Sequence, residues 1–292
     1  MKKMTSDVFV LAHYYQAMDI QNAADAVGDS FELAKKAASS PAKTLIFCGV
    51  RFMAESAKIL CPEKRVILPV ENAGCPMADM IKPEDVQKLR KEHPKAAVMA
   101  YVNTSADVKA ECDICCTSSS AERVARSLEE EEIIFLPDRN LGSYIASLVP
   151  EKRFILFDGH CPVHQRVTAE DVRSARSRFP QAQILLHPEC PPEAVALADG
   201  TGSTSWILNE VEKAPPGTKF VIGTETGVAE RLRQTAPGRE CHLLMSNFVC
   251  EDMKKTTMDD LTRAINGGGT VIELDEGVMK SARASLMRMI SV

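Results

Sequence analysis

Short apolar runs recur along this chain, and polar groups close each one: VFVLAHYYQ around His13, AAVMAYVNT around Tyr101 and AQILLHPEC around His187. Runs of this length, separated by segments with helical spacing of Ala, Leu and Val, predict strands alternating with helices and hence parallel α/β units. In the first third of the chain the pattern places strands near Val8–Ala12, Ala26–Gly28, Thr44–Phe47 and Val66–Leu68. Helices are expected near Met18–Ala24, Phe31–Ala38 and Phe52–Leu60.

The pattern occurs three times in phase. Seventeen residues after the His13, Tyr101 and His187 anchors stand Ser30, Ser118 and Thr204, and nineteen further on stand Gly49, Pro137 and Gly223. A cysteine follows in each copy, at Cys75, Cys161 and Cys250, with intervals of 86 and 89 residues. Nine positions later Glu84, Glu170 and Asp259 open the similar segments EDVQKL, EDVRSA and DDLTRA. A period of this length indicates three copies of one supersecondary unit.

The expected domains are a first lobe over residues 1–83 completed by the C-terminal segment 256–292, a second over 84–169 and a third over 170–255. The first copy lacks the helix that opens the others at Glu84–His93 and Glu170–Phe179. Met258–Ile265 has that helix's pattern and is expected to pack back on copy one, followed by a strand at Thr270–Leu274 and a helix at Glu276–Ile290. In open parallel sheets, ligands gather beyond the carboxyl ends of strands. His13, Ser30, Tyr101, Ser118, His187 and Thr204 all follow apolar runs, so they should face one common region.

Composition narrows the function classes. Lobes of under ninety residues would be marginal alone, so they should pack on one another; 45% apolar residues suffice for that core. A net charge of −5 with mixed signs leaves no footprint for nucleic acid. No stretch approaches the ~20 apolar residues that span a bilayer, and VFVLA after Lys2 and Lys3 is too short for a signal peptide. The expectation is a cytoplasmic protein with no membrane partner, whose ten cysteines are reduced thiols or metal ligands.

Cys75, Cys161 and Cys250 lie in polar loops containing Gly or Pro or both in two of the three cases, where a packing cysteine would more naturally sit in a strand. Three thiolates meeting from three copies would make a metal site with a vacancy. Zinc in a structural site takes four ligands, and His164, three residues after Cys161, is available as a fourth. An iron–sulfur cluster held by three thiolates would instead leave one iron open as a Lewis acid. Spacing alone leaves both metals open. The ECDICC segment with Cys112, Cys115 and Cys116 has CxxC spacing, but it falls on a predicted short strand and no second CxxC accompanies it, so it reads as structural.

The motifs AHYYQ, GDSFEL, ENAGCPMADM, YVNTSADVKAE, CTSS, GHCPVHQ, HPEC, TGST, GTETG and CEDMKKTT together resemble those of the quinolinate synthase (quinolinate synthetase A) family of bacterial and archaeal NAD biosynthesis, over essentially the whole chain. The resemblance implies an α/β fold of three pseudo-threefold-related three-layer lobes around one [4Fe–4S] cluster held by Cys75, Cys161 and Cys250. It implies a transferase of the EC 2.5.1 class that condenses iminoaspartate with dihydroxyacetone phosphate. An aspartate oxidase or dehydrogenase would supply the iminoaspartate. Tyr15 would give and take protons, and His187 and Glu189 would share proton transfers. His13 and Ser30 would hold a carboxylate or phosphate. Tyr101 and Asn103 would orient the intermediate, while Ser118, Ser203 and Thr204 would donate to anionic groups and His164 would contact the ligand. Tyr14 occupies a slot where the family often has a smaller polar residue, which bears on local loop packing.

Overall fold

A computed structural model describes residues 7–292. The first copy contains β1 (Val8–His13), α1 (Met18–Ala23), β2 (Ala26–Gly28), α2 (Ser30–Ser39), β3 (Thr44–Cys48), α3 (Arg51–Leu60) and β4 (Arg65–Leu68). The second contains α4 (Pro83–Glu92), β5 (Ala97–Tyr101), α5 (Ala106–Ala110), β6 (Ile114–Cys116), α6 (Ala121–Ser127), β7 (Glu132–Leu136), α7 (Arg139–Leu148) and β8 (Arg153–Leu156). The third contains α8 (Ala169–Arg178), β9 (Gln183–Leu186), α9 (Pro192–Val195), β10 (Gly200–Thr201), α10 (Thr204–Lys213), β11 (Lys219–Gly223), α11 (Thr226–Thr235) and β12 (Glu240–Leu243). The chain ends with α12 (Met258–Ile265), β13 (Thr270–Val271) and α13 (Glu276–Ser291).

The three sheets share one strand order. They run β2-β1-β3-β4, β6-β5-β7-β8 and β10-β9-β11-β12, parallel throughout, and β13 adds to the first sheet antiparallel to β4. In each sheet the chain leaves the first strand toward one neighbour and returns on its other side. That reversal opens a crevice at the carboxyl end of the first strand. His13 ends β1, Tyr101 ends β5 and His187 follows β9 directly.

Alternation along the strands builds the layers. In the first lobe Val10, Ala12 and Ile46 pack with Ile20 of α1 and Leu261 of α12, while Leu11, Leu45 and Phe47 face Leu33 of α2 and Phe52 of α3. In the third lobe Ile184, Leu186 and Val221 pack with Val172 of α8 and Ala194 of α9. Their neighbours Leu185, Phe220 and Ile222 face Ile207 of α10 and Leu232 of α11. Three α/β/α lobes result.

Helix α12 stands against α1 as α4 stands against α5 and α8 against α9, so the last helix completes the first copy's set. The tail differs from expectation in two respects. Strand β13 is two residues long, and α13 packs on α5 and β6 of the second copy as well as on α3. Ala282, Ser285, Leu286 and Met289 form its buried stripe, at the spacing of one helix face. Helix α2 begins at Ser30, one residue before the expected start, because Asp29 and Glu32 form a reciprocal capping box there.

Candidate active site

The three crevices open into one cleft. Thirteen of the fourteen residues singled out from the sequence line it: His13, Tyr15, Ser30, Cys75, Tyr101, Asn103, Ser118, Cys161, His164, His187, Glu189, Thr204 and Cys250. Ser203 does not. It caps α10, where its hydroxyl accepts from Trp206 N at 3.2 Å and lies 3.2 Å from Ser205 Oγ.

The first and third copies position their histidines alike. His13 Nδ1 accepts from Tyr15 N at 3.1 Å, and His187 Nδ1 accepts from Glu189 N at 3.3 Å. A nitrogen that accepts carries no proton, so each neutral ring keeps its proton on Nε2. Burial pushes His13 down to about 3 and His187 down to about 4, against the opposing pull of Glu189. Both are therefore uncharged near neutrality.

Glu189 is the electrostatic centre of the cleft. Its Oε2 lies 2.8 Å from His164 Nδ1, and its carboxylate accepts from the Tyr101 hydroxyl. Burial alone would raise this carboxyl, but His187, His164 and the two hydrogen bonds outweigh it and hold Glu189 below the usual range. The negative charge in turn adds to burial in raising the Tyr15 and Tyr101 phenols.

A hydroxyl absent from the sequence reading completes the network. Thr224, fully buried, lies 3.0 Å from His164 Nε2 and 2.8 Å from Tyr15 Oη. With His164 Nδ1–H donating to Glu189, Nε2 accepts from Thr224, and Thr224 accepts from Tyr15. Tyr15 Oη also lies 3.2 Å from Thr204 Oγ1. The signal for Thr224 was the repeat itself, because it follows the Gly223 landmark and shares its phase with Val50 and Asp138.

Anion-binding groups converge on the same space. Ser30 and Thr204 are the first residues of α2 and α10, at the positive dipole ends of those helices, where Asp29 already accepts from Phe31 N and Glu32 N and Ser203 from Trp206 N. Asn103 Oδ1 is buried without a hydrogen-bond partner, as suits an atom that meets a ligand.

The three repeat cysteines share one local setting. Burial pushes Cys75 up to about 12 and Cys250 up to about 11, and raises Cys161. Backbone N–H groups pull the other way: those of Met77 and Ala78 point at Cys75, that of His164 at Cys161, and those of Asp252 and Met253 at Cys250. Sulfur at the start of a tight turn, facing its amides in all three copies, is a donor set that suits a soft or borderline metal. Ligand atoms of Cys161, His164 and Glu189 also fall within 4.8 Å of one another. Cys112, Cys115 and Cys116 lie elsewhere, buried in the core. Cys112 Sγ is bonded to Val108 O and Cys115 Sγ to Ser285 Oγ.

Tyr14 reaches beyond its own loop. Its ring packs among Leu208, Val228 and Leu232 of the third lobe, with the Arg231 guanidinium 5.2 Å from the ring centre, and its hydroxyl donates to Glu32 at 3.0 Å. Glu225 and Lys254 pair with each other at 3.2 Å, and neither lines the cleft.

Fold and site together define a three-lobed α/β protein with a central cleft that joins one thiol from each lobe to a carboxylate–imidazole–hydroxyl network. The family model for NadA, the quinolinate synthetase A protein, matches residues 1–291. A quinolinate synthase of Clostridium perfringens strain 13 is 47% identical over 287 residues, which cover 98% of this chain and 95% of the relative. Those of Methanoregula boonei and Caldicellulosiruptor bescii are 45% and 43% identical over 290 residues, 99% of this chain and 95% of each relative. The chain belongs to the quinolinate synthetase A family.

Proposed function

We propose that this protein condenses iminoaspartate with dihydroxyacetone phosphate to form quinolinate in NAD biosynthesis, releasing phosphate and two waters. This is EC 2.5.1 transferase chemistry with no net electron transfer. One observation carries the reading: a thiol from each of three lobes lines the same cleft as Tyr15 and His164, which Thr224 joins by hydrogen bonds. Cys75, Cys161 and Cys250 would hold a [4Fe–4S] cluster. Bound there, it would supply a Lewis acid at the iron that lacks a cysteine.

The chain's own groups account for the rest. Ser30, Thr204 and Ser118 would bind the phosphate and carboxylates, aided by the helix amino ends behind the first two. His13 and His187, neutral with Nε2–H available, would donate hydrogen bonds to substrate oxygens. Tyr101 and Asn103 would orient the condensed chain.

Enolisation, imine rearrangement and dehydration each require a proton to be taken at one atom and returned at another. Tyr15 Oη would serve, because a proton leaving it can pass to Thr224 Oγ1 while that hydroxyl's proton moves to His164 Nε2. The Glu189 carboxylate would stabilise the resulting imidazolium. The reverse shift restores the phenol as an acid. Iminoaspartate would come from an aspartate oxidase or dehydrogenase.

The test is anaerobic reconstitution with iron and sulfide, followed by assay with both substrates. Quinolinate formation by brown protein holding about four irons is expected; colourless protein or absent turnover overturns the reading. The proximity of Cys161, His164 and Glu189 supports a second reading, a zinc-binding protein for a small anion. That reading predicts colourless protein containing zinc, which metal analysis of oxygen-free protein distinguishes.

A further inference from the structure

Each of the three cysteine loops is tied down by one carboxylate that the proposed chemistry does not use. Asp138, fully buried, caps α7 by accepting from Leu141 N at 2.7 Å through Oδ1. Its other oxygen, Oδ2, accepts from Cys161 N at 2.9 Å. Glu225, also fully buried, repeats this in the third copy. Its Oε2 accepts from Gly227 N at the start of α11 at 2.7 Å, and its Oε1 faces Cys250 N at 3.5 Å. Lys254 draws that loop closed, with its ammonium 3.2 Å from Glu225 Oε1 and its backbone N–H on Cys250 O at 3.2 Å.

The first copy has Val50 where Asp138 stands, and no side chain caps α3. Its loop is held from the neighbouring lobe instead. Asp252, two residues past Cys250, accepts from Gly74 N at 3.2 Å, and Lys255 bridges Asp252 Oδ1 at 2.7 Å to Asn72 O at 2.6 Å.

In two copies, then, the cysteine's own N–H is bound by a carboxylate anchored at the preceding strand end. This leaves the sulfur to the amides that follow it and fixes the direction in which it points. We propose that Asp138, Glu225 and Asp252 are positioning residues that set the three thiols for the iron–sulfur cluster. The inference rests on the cofactor proposed above.

A carboxylate has two acceptor oxygens, and Asp138 uses both on N–H groups. Asparagine keeps the size but turns an NH2 toward one of those donors. Partners that orient metal ligands typically change metal affinity by about ten- to a hundredfold when altered.

The experiment reconstitutes the full chain without oxygen, counts iron, and follows the loss of visible absorbance to an iron chelator. Wild type is compared with Asp138→Asn, Glu225→Gln and Asp252→Ala, the last because Gly74 N and Lys255 Nζ both meet the same Asp252 oxygen, which asparagine would keep. Asp275→Ala is the control, because it removes a helix cap on Gly277 N and Val278 N away from every cysteine loop. The three loop variants should lose the cluster about ten- to a hundredfold faster than wild type, and the control at the wild-type rate. Loop variants that match the control overturn the inference and leave the cofactor intact. A wild type that takes up no iron overturns the cofactor, and the inference with it. Asp252 is partly exposed, so Asp252→Ala, which removes the acceptor for Gly74 N and Lys255, tests the positioning role even if the buried variants fold poorly.

Discussion

His164 Nδ1 lies 2.8 Å from Glu189 Oε2, joining the loop after Cys161 to the HPEC turn of the third copy. That bond fixes the tautomer of His164 and so makes its other nitrogen an acceptor for Thr224. Thr224→Val keeps the shape and removes the hydroxyl that links His164 to Tyr15. We expect kcat to fall roughly 10²- to 10³-fold with KM nearly unchanged, the scale of a lost acid–base route. Thr224→Ser should restore most of the rate. Steady-state kinetics on iron-loaded protein check this; wild-type turnover by Thr224→Val would remove the relay from the mechanism.

The neutral histidines tie stability to pH. An unfolded histidine titrates near 6.5, whereas His13 and His187 are held down to about 3 and about 4, chiefly by burial. Between those limits the unfolded chain binds protons that the folded chain does not, so stability rises with pH across the window. The contribution is complete above about pH 6.5 and is lost as pH falls through about 4 for His187 and about 3 for His13. Urea midpoints of the metal-free protein should drop between pH 7 and pH 5, and His187→Gln should flatten the curve. An unchanged slope in His187→Gln would count against burial as its cause.

Serine replacements separate the two cysteine groups. Cys75→Ser, Cys161→Ser and Cys250→Ser should each lose the chromophore on reconstitution, because each removes one of three thiolates. Cys116→Ala, in the core at the end of β6, should keep full iron and lose roughly 1–2 kcal/mol of stability. Iron analysis and thermal melts read both effects. Loss of iron in Cys116→Ala would give the ECDICC segment a metal role.

The repeat made much of this structure legible. Landmarks at strand ends in parallel α/β units fall at the carboxyl edge, so the spacing of His13, Ser30 and Cys75 from their counterparts carried over into a shared cleft. What stayed hidden depends on contacts between copies. Thr224 in GTETG looks like any turn residue until β11 brings it beside both Tyr15 and His164. Tyr14 reads as local packing, yet it inserts into the third lobe's core and reaches Glu32. Helix α13 has an ordinary amphipathic stripe, and nothing in that stripe names α5 and β6 as its seat.

The junction of the first and third lobes supplies a test in which backbone, not side chain, is the reporter. Gly227 is the second residue of α11, beside the loop that carries Tyr15. A Cβ there would lie 2.6 Å from Tyr14 O and 3.1 Å from Gln16 O, and 2.9 Å from Glu225 Oε2. The first two are backbone atoms on either side of Tyr15, so no rotamer change relieves the clash. Gly227→Ala should cost about 1–3 kcal/mol, as overpacked sites do, and should displace the Tyr15 hydroxyl from Thr224 and thereby lower turnover. Gly217 offers the comparison. It sits at φ 86° with nothing within 4 Å of its Cβ position, so Gly217→Ala strains only a remote turn. Its cost should be roughly 1 kcal/mol, with kcat intact. Thermal melts and kinetics on the pair check the argument: both variants should melt lower, and only Gly227→Ala should turn over slowly. Equal kcat in the two would mean that the Tyr15 loop absorbs the extra methyl without moving its hydroxyl.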